Sequence, residues 1–525
     1  MMNWVKRVPW FYIFFAIFPL MHLWSVNTAE IDPAVIVRPF LFTLVGTGIL
    51  YGVLYLVFRN VNKAAYIGIL ILLLFFSYGL VYDYLRHSSS LSDLGRHRIL
   101  IPVFTVTLGL GIWGILSSHR KTKIIIQWLN ITCTLLVLFS IIQLGYFYIT
   151  SASAAHRIAS LPTNSILLSK RKDLPDVYFI VLDEYMRADA LQAELGFDNS
   201  AFINQLENMG FYVAKCSRPN YAFTRGSIAS TLNIDYLPDL EAKTGILSSE
   251  DGFWNIIKNN EVRNQLKKLG YKTVSFRSEY PWLELTDADV FLGLDHPSIG
   301  SKYIYPFETL YLGSTAAVIF TAVDSKTNIS RFWVKLSGQK TDSKVSLIVD
   351  PYIQNHVNMV WFMLKKLTEI PAIAGPKFVY AHFLVPHAPR VFLPDGEIIP
   401  NPDYDINDTG ITTNSVNDRQ AYIYGVEFIN AQIIPVLKSI INESNTPPII
   451  ILEGDHGYRD GNPGQYANLS AYYLPNGYDK LYPTITPINS FRIVFDEYFG
   501  ANYPLLPDIP DGDTILPFTE SNCTP

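Results

Sequence analysis

"PPIIILEGDHGYRDG" (residues 447–461) is an apolar run that stops abruptly at a carboxylate beside an imidazole. A short, continuous apolar segment bounded by Pro and Gly reads as a strand buried on both faces. Such strands build parallel sheets, whose ligands sit beyond the carboxyl ends. Asp455 and His456 therefore fall where a sheet of this kind places chemistry. Taken alone, Asp-His-Gly also serves as a polar turn, and the neighbouring segments decide between turn and metal site.

Two more runs have the same form. "VYFIVL" (177–182) leads into Asp183 and Glu184, and "KFVYAHF" (377–383) carries His382 near its end, with His387 five residues on in "HFLVPHAP". Between such runs lie helical patterns: 198–210, with Asp198 as expected N-cap and Gly210 as stop; 253–269, ended by Gly270; and a helix near 418–440. "FYVA" and "YKTVSF" add shorter strands. Alternation of this kind predicts an α/β domain with a mainly parallel, doubly covered sheet. Five of the ten histidines lie beyond residue 175 (His296, His356, His382, His387, His456), and three of those five fall in these motifs. A fourth piece, "NYAFTRGSIASTL" (220–232), sets Thr224 before a small-residue helix start. As an N-cap its hydroxyl would bond the backbone. A helix N-terminus also favours an anion such as a phosphoryl group, and a nearby dication would make the hydroxyl a usable nucleophile.

At 525 residues the chain exceeds one ordinary domain. Its hydrophobic content of 49% and mean hydropathy of +0.18 point to a membrane portion. A net charge of −5 and the lack of a basic block argue against a nucleic-acid partner. Five apolar stretches fill the first 150 residues: 8–26, 35–58, 64–85, 98–117 and 125–149. Each is long enough for a helix across ~30 Å of hydrocarbon. The first resembles a signal peptide behind Lys6 and Arg7; with no A-x-A-like site after it and four more spans following, it reads as a retained helix. Alternate flanks carry seven basic residues (Lys6, Arg7, Arg59, Lys63, Arg120, Lys121, Lys123) against four (Arg38, Arg86, Arg96, Arg98). The richer set is expected in the cytoplasm, which puts the chain after residue 150 outside it. The stretch 309–323 is short for a crossing and reads as a core or membrane-facing helix. The expected organisation is a five-helix transmembrane domain (1–150), a juxtamembrane linker (151–174) and an extracytoplasmic domain (175–525). With three cysteines (Cys133, Cys216, Cys523), disulfides are not the main scaffold, and a Cys216–Cys523 pair stays open.

Together, "VLDEY", "TRGSIAS", "HFLVPHAP" and "EGDHG" resemble the motifs of the alkaline phosphatase superfamily, in its membrane-anchored sulfatase-like branch. Lipoteichoic acid synthases and lipid A phosphoethanolamine transferases belong to that branch, which similarly has five N-terminal helices. The resemblance covers roughly residues 175–500 plus the membrane topology. It implies an α/β/α domain holding a divalent ion, Zn²⁺ or Mn²⁺, on Asp183, Asp455, His456 and the Thr224 oxygen. It implies Thr224 as nucleophile and His387 or His382 against the transferred group or leaving oxygen. The transferases carry Gly-Glu-Thr where this chain has Leu-Asp-Glu-Tyr, so Asp183 and Glu184 compete for the ligand role. Relatives use a further histidine downstream, and none follows His456 here, so one ion is implied and a second stays open. Arg225 and Arg459 are the candidate anion contacts.

Sulfatases mature a Cys or Ser in a C/S-x-P-S-R context; here Thr224 takes that place with Ile228 where the Arg would fall, and Cys216 in "CSRPNY" has another spacing. The expected reaction is therefore transfer or hydrolysis of a phospho-group, of phosphoethanolamine or phosphoglycerol type, from a membrane lipid donor to a cell-envelope glycan or lipid. A sulfatase-like hydrolase of other esters and a catalytically inert envelope-assembly relative are the alternatives. Stoichiometric metal separates the inert relative from both enzymes.

Overall fold

The computed structural model describes residues 9–28, 31–86, 88, 91–117, 122–160, 174–247, 250–294, 305–321, 351–399, 416–458, 463–475 and 477–509. The chain forms two compact units, one of residues 1–149 with 295–352 and one of 150–294 with 353–525.

In the first unit, helices α1 (Phe11–Val26), α2 (Val37–Phe58), α3 (Val61–Arg86), α4 (His97–Ser117) and α5 (Thr122–Ser160) follow one another. Among the described residues four helices are long and apolar enough to cross a membrane: 33–58, 61–86, 97–117 and 124–158. The first helix runs only 16 residues, because Pro9 and Trp10 of the expected 8–26 span stay outside it. Four of the five expected stretches are thus long apolar helices and the first is a shorter one. Their outward positions are apolar as well (Val45, Ile49, Leu56, Leu110, Trp113 and Ile142 are exposed), which suits lipid rather than water.

Residues 305–321 contact this unit, although the sequence places them in the extracytoplasmic domain. Tyr305, Phe307 and Tyr311 share a core with Phe11, Tyr12 and Phe76. Arg38 Nε donates to Glu308 Oε1 at 2.6 Å, and the Ala316 N–H donates to the Phe75 carbonyl at 2.7 Å. The short helix α12 (Pro306–Gly313) closes on α3 at Gly79, where a Cβ would lie 2.3 Å from the Gly313 oxygen. (Helices α6 to α11 belong to the second unit.)

The second unit runs β1 (Val177–Leu182), α6 (Ala188–Leu195), α7 (Ser200–Asn208), β2 (Tyr212–Val213), α8 (Thr224–Asn233), α9 (Leu237–Thr244), α10 (Glu250–Lys258), α11 (Glu261–Lys268), β3 (Lys272–Phe276) and β4 (Val290–Leu292). After the helical turn α13 (Val318–Thr321) of the first unit come α14 (Pro351–Glu369), β5 (Lys377–Phe383), α15 (Val416–Glu443), β6 (Ile449–Glu453), β7 (Ser470–Tyr473) and α16 (Pro487–Phe499). The expected helix 253–269 is two helices, because the Asn260 side chain accepts from Arg263 N–H and caps a new start. Asn199, not Asp198, takes the cap position of α7, with no side-chain cap bond; the Asp198 carboxylate accepts from the Ser200 N–H.

Seven strands form one sheet in the order β2-β7-β6-β1-β5-β3-β4. β1 lies at its centre, parallel to β5 and β6, while β7 runs antiparallel to β6. Every residue of β1, β5 and β6 is buried, as a sheet covered on both faces requires. Phe179, Tyr380 and Ile451 pack with Ile228 of α8 and Phe491 of α16 in one core. Register then decides the site. Leu182 pairs with Phe383 and Val181 with both His382 and Glu453, so three parallel strands end at one level.

Candidate metal centre and nucleophile

Asp183 follows β1 directly, and its carboxylate is wholly buried. Asp455 and His456 follow β6 after Gly454 and are also wholly buried. Ligand atoms of Asp183, Asp455 and His456 all lie within 4.8 Å of one another. Asp455 Oδ1 accepts from the Glu184 N–H at 3.1 Å and the His456 N–H at 3.0 Å. Asp183 Oδ2 faces His382 Nε2 at 3.1 Å. That leaves Asp183 Oδ1 and Asp455 Oδ2 buried with no hydrogen-bond partner, 3.8 and 3.5 Å from His456 Nε2. Unpaired buried carboxylate oxygens are costly unless they are matched by a cation.

The imidazole fits that reading. His456 Nδ1–H donates to the Gly457 carbonyl at 2.9 Å, so the lone pair sits on Nε2, the atom facing both free oxygens. An imidazole held through its other nitrogen is the usual metal-ligand arrangement. Two carboxylates, an imidazole and a hydroxyl suit Zn²⁺ or Mn²⁺. Burial, together with the Asp183 charge, pushes the Asp455 carboxyl up. Burial works the same way on Asp183, but His387, His382 and His456 outweigh it and hold that carboxyl low.

Thr224 completes the group. It is the first residue of α8, Phe223 takes the cap position with extended backbone, and no side chain caps the helix. The Thr224 hydroxyl instead lies 3.2 Å from His456 Nε2. The expectation that it could serve as a cap therefore fails, and its oxygen belongs to the cluster. Ser227, one helical turn on, carries a buried hydroxyl without a partner, a feature the small-residue pattern hid.

The remaining candidates separate. Glu184 has φ of +63° and turns its carboxylate to Arg390, whose Nη2 donates at 2.8 Å. Asp183 joins the cluster, while Glu184 turns to Arg390. His382 stands behind Asp183, with its Nδ1 3.3 Å from the Tyr380 hydroxyl. His387 is partly exposed, bonds the Ala388 carbonyl through Nδ1 at 2.7 Å, and has Nε2 3.9 Å from Glu184. Burial opposes its protonation, yet Asp183 and Glu184 prevail and raise it above the ordinary value. Tyr280 meets the His387 ring edge-on at 5.9 Å, and sequence periodicity offered no signal for it. Arg225 is half-buried next to Thr224 in the first turn of α8. Arg459 lies outside the described residues. Cys216 is disulfide-bonded and Cys133 is a free buried thiol, while Cys523 is also outside the described residues.

The glycines of Gly-Asp-His-Gly are required by close approach. A Cβ at Gly454 would lie 2.3 Å from the Tyr185 oxygen, and one at Gly457 would lie 2.0 Å from the Gly464 oxygen.

Neither a family model nor a curated protein matches the sequence. Similar solved structures exist. The C-terminal periplasmic domain of EptC from Escherichia coli, in complex with Zn, has 11% identity and a TM-score of 0.38 over 67% of this chain and 90% of that one. The integral membrane lipooligosaccharide phosphoethanolamine transferase A of Neisseria meningitidis has 11% identity and a TM-score of 0.31 over 89% of each chain. BT1596, a 2-O GAG sulfatase, has 13% identity and a TM-score of 0.39 over 63% of this chain and 72% of that one. At such identities the functional reading rests on this chain's own side chains.

Proposed function

We propose that this membrane protein is a metal-dependent enzyme that transfers or hydrolyses a phospho-group through Thr224, on the outer face of the membrane. The observation that carries this is the Thr224 hydroxyl at 3.2 Å from His456 Nε2, unused as a cap, beside two unpaired buried carboxylate oxygens. Asp183, Asp455, His456 and Thr224 would hold the ion. A bound Zn²⁺ or Mn²⁺ lowers the hydroxyl's pKa and offsets charge on the phosphoryl oxygens. Thr224 Oγ1, its proton passed to solvent, then attacks phosphorus, and the bond to the leaving alkoxide breaks. His387, whose protonated form Asp183 and Glu184 favour, gives that alkoxide its proton. Thr224 opens α8, and the positive end of a helix dipole favours an anion such as the phosphoryl group. An acceptor hydroxyl or water next attacks the phosphothreonine and releases Thr224. His382 orients Asp183, and Arg225 and Arg459 are assigned to the substrate anion. The apolar helices and the basic flanks support a site facing outward, within reach of a lipid donor and an envelope glycan or lipid acceptor. A fifth crossing by α1 belongs to the same reading.

The test uses the full chain in detergent with Zn²⁺ or Mn²⁺ restored. Chromogenic phosphodiester, phosphomonoester and sulfate-ester substrates are assayed side by side, with Thr224→Ala as control. Phosphodiester turnover lost in the variant supports headgroup transfer. Turnover of the sulfate ester alone sinks the phosphoryl reading, and neither turnover nor bound metal identifies an inert relative.

A further inference from the structure

The chemistry above leaves the nearly buried guanidinium of Arg390 unused. Arg390 Nη2 donates to Glu184 Oε2 at 2.8 Å and Nη1 to Asp418 Oδ1 at 2.7 Å. Its guanidinium lies over the rings of Tyr422 and Tyr458, 5.7 and 4.9 Å from their centroids. Tyr458 donates its hydroxyl to Asp418, and Tyr422 donates to the Glu184 carbonyl at 2.7 Å. Burying a guanidinium between two carboxylates is a poor route to stability alone, since apolar side chains of the same volume often do as well. The arrangement therefore invites a second reason.

Glu184 supplies it. Its positive φ is one that residues other than glycine seldom adopt, and three contacts enforce it. Arg390 holds the carboxylate, Tyr422 holds the carbonyl, and the N–H is committed to Asp455 Oδ1 at 3.1 Å. With Oδ1 tied down, Asp455 offers only Oδ2 to the cluster. With its carboxylate tied down, Glu184 cannot enter the cluster as a third anion. We infer that Arg390 is a positioning residue for the metal centre: by clamping Glu184 it aims Asp455 and leaves Asp183 as the one carboxylate that the end of β1 gives to the cluster. This rests on the metal reading proposed above. Partners behind a ligand typically change metal affinity by about 10–100-fold when removed.

The experiment measures Zn²⁺ affinity of the full chain in detergent by competition with a chromophoric chelator. Wild type, Arg390→Lys, Arg390→Met, Glu184→Gln and the double variant Arg390→Met/Glu184→Gln are compared. Arg390→Met is expected to bind about 10–100-fold more weakly, with Arg390→Lys between it and wild type because it keeps charge without the fork. The double variant is expected to bind no more weakly than Arg390→Met, since Arg390 acts through Glu184. Thermal unfolding in chelator checks the fold of each variant. If Arg390→Met does not fold, the comparison of Arg390→Lys and Glu184→Gln with wild type carries the test, both being expected to bind more weakly. Wild type that binds no zinc defeats the metal reading itself. Wild type that binds, beside folded Arg390 variants that bind within twofold of it, overturns this inference alone. A purely structural Arg390 would lower the unfolding temperature in chelator and leave the affinity of the folded chain unchanged.

Discussion

Gly454→Ala tests whether the strand-end packing creates the site. A Cβ there would sit 2.3 Å from the Tyr185 carbonyl oxygen, against a floor of 3.0 Å for real contacts, so the two must part by at least 0.7 Å. Neither side is free to give. The Tyr185 oxygen accepts from Leu469 N–H at 3.0 Å, while Gly454 N–H donates to the Leu469 carbonyl at 2.8 Å and its own carbonyl accepts from Asn468 at 2.7 Å. The displacement therefore enters the Asp183–Glu184–Tyr185 turn on one side and Asp455 on the other. Misplacing a reacting group by ~1 Å costs roughly 10²-fold in rate. Turnover should fall by about that factor, Zn²⁺ affinity by about 10-fold or more, and overpacking should cost about 1–3 kcal/mol of stability. Turnover and chelator competition are read on the same preparation, beside Gly196→Ala as control. Gly196 also has a positive φ, +68°, but nothing lies within 4 Å of its Cβ position, so that variant should lose some stability and keep its turnover. If Gly454→Ala stays within threefold of wild type in both rate and affinity, close packing is not what aims Asp455.

Thr224→Ser should retain turnover and Thr224→Ala should lose it, and acid-quenched wild type should show a phosphate on Thr224 by mass spectrometry; an unmodified Thr224 during steady turnover would falsify the covalent route. His387 is held protonated beyond the ordinary histidine value of about 6.5, so kcat/KM should decline only at higher pH, as the acid is lost. His387→Gln should remove that limb and lower the rate by about 10²–10⁴-fold. Burial, with a smaller push from Asp455, raises Glu453 from 4.5 to about 8. A raised folded pKa gives stability that is full below about pH 4.5 and lost by about pH 8, up to ~5 kcal/mol in metal-free protein. Glu453→Gln should flatten that slope in unfolding measured against pH with chelator present; an unchanged slope refutes the assignment.

The parts of the fold that could be read from sequence share one physical property. β1, β5 and β6 are buried on both faces, so their apolar runs are unbroken and their ends show where the polar residues begin. β4 and β7 escaped because they are short: Val290–Leu292 is only half-buried, and Ser470–Tyr473 is two small residues followed by two tyrosines beside the antiparallel β2. The division at Asn259–Asn260 was present as a cap signal that one long amphipathic pattern concealed. The return of residues 305–321 to the N-terminal helices depends on long-range partners such as Arg38 and Glu308, 270 positions apart, and local sequence carries no trace of them.

The same distinction runs through the site. Asp183, Asp455, His456 and Thr224 could be found because each stands at the end of a strand or the start of a helix, where topology brings residues together whatever their separation. The choice between Asp183 and its neighbour could not. Glu184 is one residue away and equally acidic, and it is excluded by a guanidinium 206 positions later, itself held by Asp418. Topology gathers the groups that could bind an ion, and the pairing of buried charges decides which of them face one another in the cluster. A sequence reading therefore reaches the candidate set and stops there, because the selecting residue, Arg390, looks like any other basic residue in a loop until its partners are in place.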